Sequence, residues 1–297
     1  STFHNSLVQF RSWLLDNDCQ NVCMESTGKY YIPVYNVLEG FISNIVVANP
    51  KWVRAVKGEK DDDKDAKWIA DLFKLGIVKG SFIPSKDIRI LRELTRYKFK
   101  LTNIRSSEKN RYQNALTVGN CKLDMVFTDV FGKSSSNIAN LILSDKEYTE
   151  EDILSKVHKS CKASNEDIIN AVSGIDLTPV QKARIHVIQK HMDQVNENIN
   201  EINKLIDIMA KPFEDDINFL CQIPGVKRDS AIVILSEIGN DMEQFKTARR
   251  ITSWAGLAPT NNQSAGKKKS VKISRAGVYL KPCLVEVAHA AIKDKEH

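Results

Sequence analysis

Long apolar runs are missing from this sequence of 297 residues. Apolar stretches such as residues 45–48 and 231–235 fall far short of the roughly 18 residues that a membrane-spanning helix needs, and residues 1–6 lack the pattern of a signal peptide. Cysteine is also scarce. The six cysteines are scattered and form no CxxC pair. This spacing argues against zinc sites and disulfides and favours reduced thiols in the cytosol. We therefore expect neither membrane insertion nor secretion.

Glycine and proline are few as well, at 13 and 8 residues. With 42% hydrophobic and 27% charged residues, the composition excludes collagen-like, low-complexity and wholly disordered chains. The length is sufficient for a buried core and, at roughly 150 residues per domain, indicates about two domains. An ordinary globular protein is expected.

Acidic residues are absent from residues 246–281, although the whole chain carries a net charge of only +6. Nine basic residues lie there: Lys246, Arg249, Arg250, Lys267, Lys268, Lys269, Lys272, Arg275 and Lys281. A second basic stripe lies on a predicted long helix over residues 86–116 and consists of Arg89, Arg92, Arg96, Lys100 and Arg111. This stripe indicates either a solvated helix face or a face turned toward nucleic-acid phosphates, and the pattern alone favours the solvated face.

The first third of the sequence alternates between helical and extended patterns. We predict a helix over residues 7–15, a strand over 21–24, a helix after Gly28, a strand over 45–48 and a helix over 64–75. Such alternation is typical of an α/β layer.

Residues 178–212 predict one long helix with a heptad pattern. Its apolar residues are spaced alternately by three and four: Ile185, Ile188, Met192, Val195, Ile199, Ile202, Ile206 and Met209. This seam favours one arm of a coiled coil that joins copies of the chain into a homo-oligomer, a dimer or a tetramer. The alternative is a long helix packed within a single subunit.

Residues 220–239 have the pattern of a helix-hairpin-helix. A Pro-Gly turn at Gly225 precedes Lys227 and Arg228, and the exposed N–H groups at the start of the second helix can hold a phosphate oxygen without reading bases. The same corner is also a common packing device, but its position before a basic segment favours contact with a nucleic-acid backbone.

Three carboxylates in the first third could hold a divalent cation. Glu25 ends a predicted strand, and the spacing of Asp62 and Asp65 places them on one face of a helix start. Carboxylates that converge in this way bind metals for phosphoryl chemistry. Taken alone, however, the pattern favours an acidic helix N-terminus stabilised by the helix dipole and by neighbouring lysines.

Several short motifs together resemble the insertion-sequence transposases of the one-ten type, also called DEDD transposases or bridge-RNA-guided serine recombinases. Toward the N-terminus these are MESTG at 24–28, VANP at 47–50 and the segment 60–70; toward the C-terminus they are IPG at 223–225, WAGLAP at 254–259, QSAG at 263–266 and ISRAG at 273–277. Each match is weak, but their order and spacing are specific. The resemblance covers most of the chain.

The resemblance implies an α/β plus α architecture in three parts. An RNase H-like (RuvC-like) domain over residues 1–118 is followed by a helical linker and coiled coil over 119–212. A small helical transposase domain over 213–297 then carries the helix-hairpin-helix and a serine loop.

The resemblance also implies a catalytic site. Glu25, Asp62 and Asp65 would be three of four metal ligands for Mg²⁺, and Ser264 would be the nucleophile that attacks a DNA phosphodiester. Ser270 and Ser274 are rivals of Ser264 on composition alone. The predicted nucleic-acid contacts are Gly225, Lys227, Arg228, the α-helical basic stripe, and the loop residues Lys267, Lys268, Lys269, Lys272 and Arg275.

The sequence departs from the family pattern before Glu25, where no strand bearing the family's first aspartate is found. Asp16 and Asp18 lie in a predicted turn and cannot replace it. We therefore expect the first domain to be N-terminally incomplete.

The expected activity is site-specific DNA recombination by a cytoplasmic, nucleoid-associated bacterial protein. DNA would be its substrate and an element-encoded guide RNA its partner. The alternatives are a RuvC-class nuclease that acts on branched DNA without Ser264, and a non-catalytic remnant that only binds nucleic acid.

Overall fold

The computed structural model describes residues 2–53, 61–144, 146–259, 262–264, 267–270, 273 and 276–293. The chain forms two compact units, one comprising Ser1–Lys86 and Asp241–Lys246 and the other comprising Asp87–Asn240 and Thr247–His297. Within the described ranges, no helix is both long enough and apolar enough to cross a membrane.

The first unit is an α/β layer. Its elements are α1 (His4–Asp16), β1 (Asn21–Glu25), α2 (Tyr31–Leu38), β2 (Asn44–Ala48), α3 (Pro50–Val53) and α4 (Asp62–Lys74). Strands β1 and β2 are parallel and in register from Asn21 opposite Asn44 to Glu25 opposite Ala48. The alternating helices and strands predicted for this region are confirmed, with boundaries shifted by a few residues.

A small core supports this sheet. Leu14 of α1, Leu38 of α2 and Ile42 form a buried cluster, against which side chains of both strands pack. Gly80 adds an antiparallel bridge to Ala48. The segment Asp241–Lys246 belongs to the same unit, where Phe245 meets Phe82 edge-on at 5.9 Å between ring centroids.

The second unit is dominated by helices. Its elements are α5 (Lys86–Val118), α6 (Leu123–Val126), α7 (Lys133–Leu143), α8 (Glu150–Ser155), α9 (Asn165–Val172), α10 (Pro179–Ala210), α11 (Glu214–Leu220), α12 (Arg228–Ile238), α13 (Ala248–Trp254), β3 (Asn262–Ser264), β4 (Lys267–Ser270) and α14 (Leu280–Ile292). The start of α10 is fixed by a capping box, in which Thr178 and Gln181 satisfy each other's backbone N–H groups.

Helices α5 and α10 pack side by side and run in opposite directions. Leu101 of α5 lies in a cluster with Val195 and Ile199 of α10. Further along α5, Glu108 meets His191, and Tyr112 meets Gln189. As the residue number rises on α5, that of its partner on α10 falls, which defines an antiparallel pair.

The heptad seam of α10 is buried within this unit. Six of its residues are buried: Ile185, Ile188, Met192, Val195, Ile199 and Ile206. Ile185, Ile188 and Met192 also belong to the largest core cluster, which includes side chains of α5, α7 and α9. The seam therefore does not need a second copy of the chain to cover it, and this corrects the reasoning behind the predicted homo-oligomer.

Candidate functional site

The predicted serine loop contains a short antiparallel hairpin. Its register pairs Ser264 with Lys267, Gln263 with Lys268 and Asn262 with Ser270. Ser264 is thus the last paired residue of β3, directly opposite the first lysine of the basic strand β4. The predicted contacts Lys272 and Arg275 and the rival Ser274 lie outside the described residues.

A backbone bridge and a tightly packed glycine fix the base of this hairpin. Pro259 and Ile273 form an antiparallel bridge below the two strands. Gly277 has a φ of +67°, and a Cβ atom built there would overlap the backbone carbonyl group of Ala255. Ala255 is fully buried at the end of α13. Only glycine combines this backbone conformation with this close approach, so two motifs that are distant in sequence meet at the foot of the hairpin.

The helical corner between α11 and α12 also depends on a glycine. Gly225 has a φ of +80°, and a Cβ atom there would lie 2.8 Å from the Ala291 nitrogen on the backbone of α14. The close approach at Gly225 is therefore made to another helix of the same unit. This contact supports the packing role of the Pro-Gly turn that the sequence left open.

Two basic residues follow this corner. Lys227 is the exposed N-cap residue of α12. The Arg228 guanidinium pairs with Glu214 of α11, and this hydrogen bond raises the pKa of Arg228 above its usual value. Lys227 is therefore the better placed of the two for contact with a ligand.

The arginines at the start of α5 bind the end of α12. Arg92 donates to the backbone carbonyls of Ser236, at 2.7 Å from Nε, and Glu237, at 2.9 Å from Nη2. Arg96 forms a two-point ion pair with the Glu237 carboxylate, at 2.7 and 2.8 Å. The last carbonyls of a helix have no partner within it, and cations stabilise this end. These contacts give Arg92 and Arg96 a structural role.

The remaining stripe residues have different surroundings. Arg111 pairs with Glu108 on its own helix, Lys100 is exposed, and Arg89 is half-buried and makes contacts within the protein. The predicted basic stripe is thus largely engaged by the protein's own groups, and Lys100 is an exposed member of it.

Sequence reasoning missed the partner of these arginines. Glu237 is only 3% exposed, and the Arg96 guanidinium that pairs with it also lies 4.7 Å from the ring centroid of Tyr279. Tyr279 follows Gly277 by two residues, so this cluster adjoins the base of the hairpin. The sequence does carry a signal for this ion pair. Glu237 lies within the apolar run of α12, and a carboxylate buried there needs a partner.

The predicted metal ligands lie in the first unit. Glu25 ends β1 and accepts a hydrogen bond of 2.5 Å from Thr27 Oγ1. Asp62 and Asp65 lie in the first turn of α4, which contacts β1, and Asp61 caps this helix by accepting from the Asp63 N–H at 3.1 Å. The capping geometry matches the acidic helix start that the sequence pattern favoured.

These carboxylates do not fit a metal centre as they are placed. Among the described residues, which include all three, no group of three or more histidine, cysteine, aspartate or glutamate side chains could hold a metal ion.

Comparison with known proteins identifies domains at both ends of the chain. The family described as "Transposase IS116/IS110/IS902 family" matches residues 217–297, and a DEDD transposase domain of the IS110 type matches residues 1–119. The chain thus carries both domains of these transposases.

Two curated relatives agree with this assignment. The "Transposase for insertion sequence element IS1111A" of Coxiella burnetii is 28% identical over 131 residues, which cover 42% of this chain and 34% of the relative. A "Probable family 20 transposase" of Pseudomonas aeruginosa is 31% identical over 78 residues, which cover 26% of this chain and 23% of the relative. The matches thus span about a third and a quarter of these relatives.

Proposed function

We propose that this chain, which carries both domains of the IS110-type transposases, cuts and rejoins DNA as an insertion sequence moves, with Ser264 as the nucleophile. The observation that supports this proposal is the register of the hairpin. It pairs Ser264 with Lys267, the first of three consecutive lysines. A serine in a segment rich in lysine is suited to attack a phosphodiester, because cations stabilise the negative charge that develops on the phosphate oxygens.

The chemical step is a transesterification. The Ser264 Oγ forms a bond to phosphorus and loses its proton to a base, while one bond from phosphorus to a deoxyribose oxygen breaks and that oxygen takes up a proton. The product is a covalent phosphoserine with a free DNA hydroxyl. Attack by a DNA hydroxyl on this phosphoserine reverses the exchange and joins a new strand, so neither an oxidant nor a hydrolysed nucleotide is required.

Backbone contacts position the hairpin for this step. The bridge between Pro259 and Ile273 and the packing of Gly277 on Ala255 hold both of its ends. The cluster of Arg96, Glu237 and Tyr279 lies next to this base. Catalysis depends on such fixed placement, since small displacements of a nucleophile lower the rate steeply.

Two surfaces of the chain would contact nucleic acid. The strand Lys267–Ser270 would contact the phosphates around the cleaved bond, and Lys227 with the free N–H groups at the start of α12 would contact a neighbouring stretch of backbone as a helix-hairpin-helix does. An element-encoded guide RNA is proposed from the family resemblance, as is an RNase H-like fold for the first domain.

A covalent-adduct assay tests this function. The full chain is incubated with duplex DNA carrying insertion-sequence ends and its guide RNA, and adducts that survive denaturation are measured by gel shift. We expect Ser264→Ala to abolish the adduct and to leave DNA affinity nearly unchanged, because one hydroxyl contributes little to phosphate binding in a segment rich in lysine.

Ser270→Ala is the matched control, because Ser270 lies in the same hairpin opposite Asn262. It should retain the adduct. An adduct that persists in Ser264→Ala but disappears in Ser270→Ala or Ser274→Ala would overturn the assignment of the nucleophile. Cleavage without any adduct would instead support the nuclease alternative.

A further inference from the structure

A cavity of about 470 Å³ lies in the second unit, where α5, α7 and α10 converge. It is remote in sequence from the serine hairpin, and its α7 and α10 walls lie in residues that neither family match covers. Its volume is within the range of small-ligand sites, roughly 300–1,000 Å³.

One wall of the cavity combines aromatic rings with positive charge. Arg105, Lys109 and Tyr112 of α5 are spaced by four and three residues and line the cavity together. The Lys109 ammonium lies 4.5 Å from the ring centroid of Phe131, and the Tyr112 and Phe131 centroids are 5.5 Å apart. Tyr112 is only 3% exposed and supports the Phe131 ring from the core, and this burial raises the pKa of Tyr112 to about 12.

Amide side chains also line the cavity. Gln189 Nε2 of α10 donates to Asn140 Oδ1 of α7 at 3.0 Å. This bond fixes the Asn140 amide and leaves its Nδ2 group without a partner among the residues that the structure describes. Asn196 accepts a hydrogen bond from Arg105 at 3.5 Å, so an amide and a cation also meet at one end of the cavity.

We propose that this cavity binds one unpaired nucleotide of a single-stranded nucleic acid. The base packs against the partly exposed ring of Phe131, its edge meets the amide of Asn140, and its phosphate lies at Arg105 and Lys109. Aromatic stacking, amide contacts to base edges and nearby cations are the three means by which proteins hold unstacked bases. The two cations outweigh the single carboxylate of Asp193 in the lining.

Duplex DNA does not suit this site. This recess is half open and lined by three helices, and it has room for one unstacked base, whereas the bases of a duplex are covered on both faces by their neighbours. The inference extends the proposed function by naming a contact for unpaired nucleic acid outside the serine hairpin. Because it is tested by binding rather than by strand transfer, either proposal can fail without the other.

Fluorescence anisotropy of the full chain provides the test. The probes are a labelled single-stranded RNA of about ten nucleotides, within the usual site size for single-strand binding, a DNA strand of the same sequence and a DNA duplex. We expect Arg105→Gln and Asn140→Leu each to weaken single-strand binding by about tenfold, as expected when one stacked or hydrogen-bonded nucleotide is lost. Duplex affinity should stay within about twofold.

Lys190→Gln is the matched control, since Lys190 is an exposed cation on α10 that does not line the cavity. It should lower single-strand affinity by no more than about twofold. Equal losses in Arg105→Gln and Lys190→Gln would overturn the proposal, as would equal losses of single-strand and duplex binding.

Photo-crosslinking provides a second measurement, independent of any variant. An oligonucleotide containing 4-thiouridine should crosslink to peptides that contain Lys109 or Phe131, and Ser264→Ala should leave these crosslinks intact. Crosslinks confined to other peptides would contradict the assignment. Tighter binding of RNA than of DNA would identify RNA as the source of the nucleotide, and equal binding would identify exposed single strands of either kind.

Discussion

The two basic regions of this chain have different surroundings in the structure. The arginines at the start of α5 lie against the end of α12, where they bind two backbone carbonyls and the buried carboxylate of Glu237. The lysines of β4 lie in a two-stranded hairpin within a stretch of sequence that has no acidic residue. The first set of charges stabilises the protein, and the second is proposed to bind its substrate.

Acceptors on a neighbouring element determine the role of the first set. The last carbonyl oxygens of a helix have no partner within it, and arginine satisfies them with several donors at once. A regular spacing of basic residues along a helix therefore does not distinguish a ligand-binding face from a packing face. Variants of these residues and of the packing around them measure how much each contributes, from the largest expected effect to the smallest.

The largest effect should come from placing a charge between α5 and α10. Ile199 is 6% exposed and packs in the cluster with Leu101, so Ile199→Asp should lower the free energy of unfolding by about 4 kcal/mol or more, because it buries an unpaired carboxylate. Chemical denaturation measures this loss. Ile208→Asp, at a 59% exposed position on the same helix, should cost little.

Light scattering tests whether the seam of α10 instead joins two copies of the chain, as the heptad pattern predicts. A variant with both Ile199→Asp and Ile202→Asp that stays fully folded but has a lower mass would show that the seam joins two copies of the chain. Unfolding without a folded species of lower mass would show that the seam packs within one copy.

Breaking the ion pair at the end of α12 should have the next largest effect. Arg96→Met leaves Glu237 buried and unpaired, and we expect a loss of about 3 kcal/mol in the free energy of unfolding. Lys100→Met, one turn further along α5 at an exposed position, should change stability by less than about 0.5 kcal/mol. Equal stability of the two variants would show that the arginine is dispensable for packing.

A methyl group at the foot of the hairpin should have an intermediate effect. Gly277→Ala forces a contact with the Ala255 carbonyl in addition to backbone strain. Gly76→Ala provides the control, since Gly76 has nearly the same φ, +68°, but has no atom within 4 Å of a built Cβ. We expect Gly277→Ala to be less stable than the control by about 2 kcal/mol, measured by thermal unfolding, and to form less adduct.

The smallest effect should be seen in the salt dependence of DNA binding. Lys268→Gln should reduce the slope of log affinity against log salt by about one unit, as expected for one lost phosphate contact. Lys100→Gln on α5 should leave the slope unchanged if that stripe does not contact DNA. Equal changes in both variants would remove the contrast between the two regions.

Much of the local structure could be predicted because it depends on neighbouring residues. The strand ending at Glu25 and the helix beginning near Asp62 follow from hydrophobic periodicity and from an acidic helix start. The helix beginning at Pro179 follows from its capping box. These signals lie within one or two turns of the chain, where sequence patterns are most informative.

The sequence by itself determined the alternating helices and strands, the long helices, the basic segment without acidic residues and the motifs shared with IS110-type transposases. Only the tertiary structure decided which of these elements pack against one another. It covered the heptad seam with α5, paired Arg96 with Glu237 across 141 positions of sequence, and placed Gly277 against Ala255. The physical reason is that hydrophobic faces and buried charges specify the kind of partner they need, while the partner's identity depends on which elements the folded chain brings together.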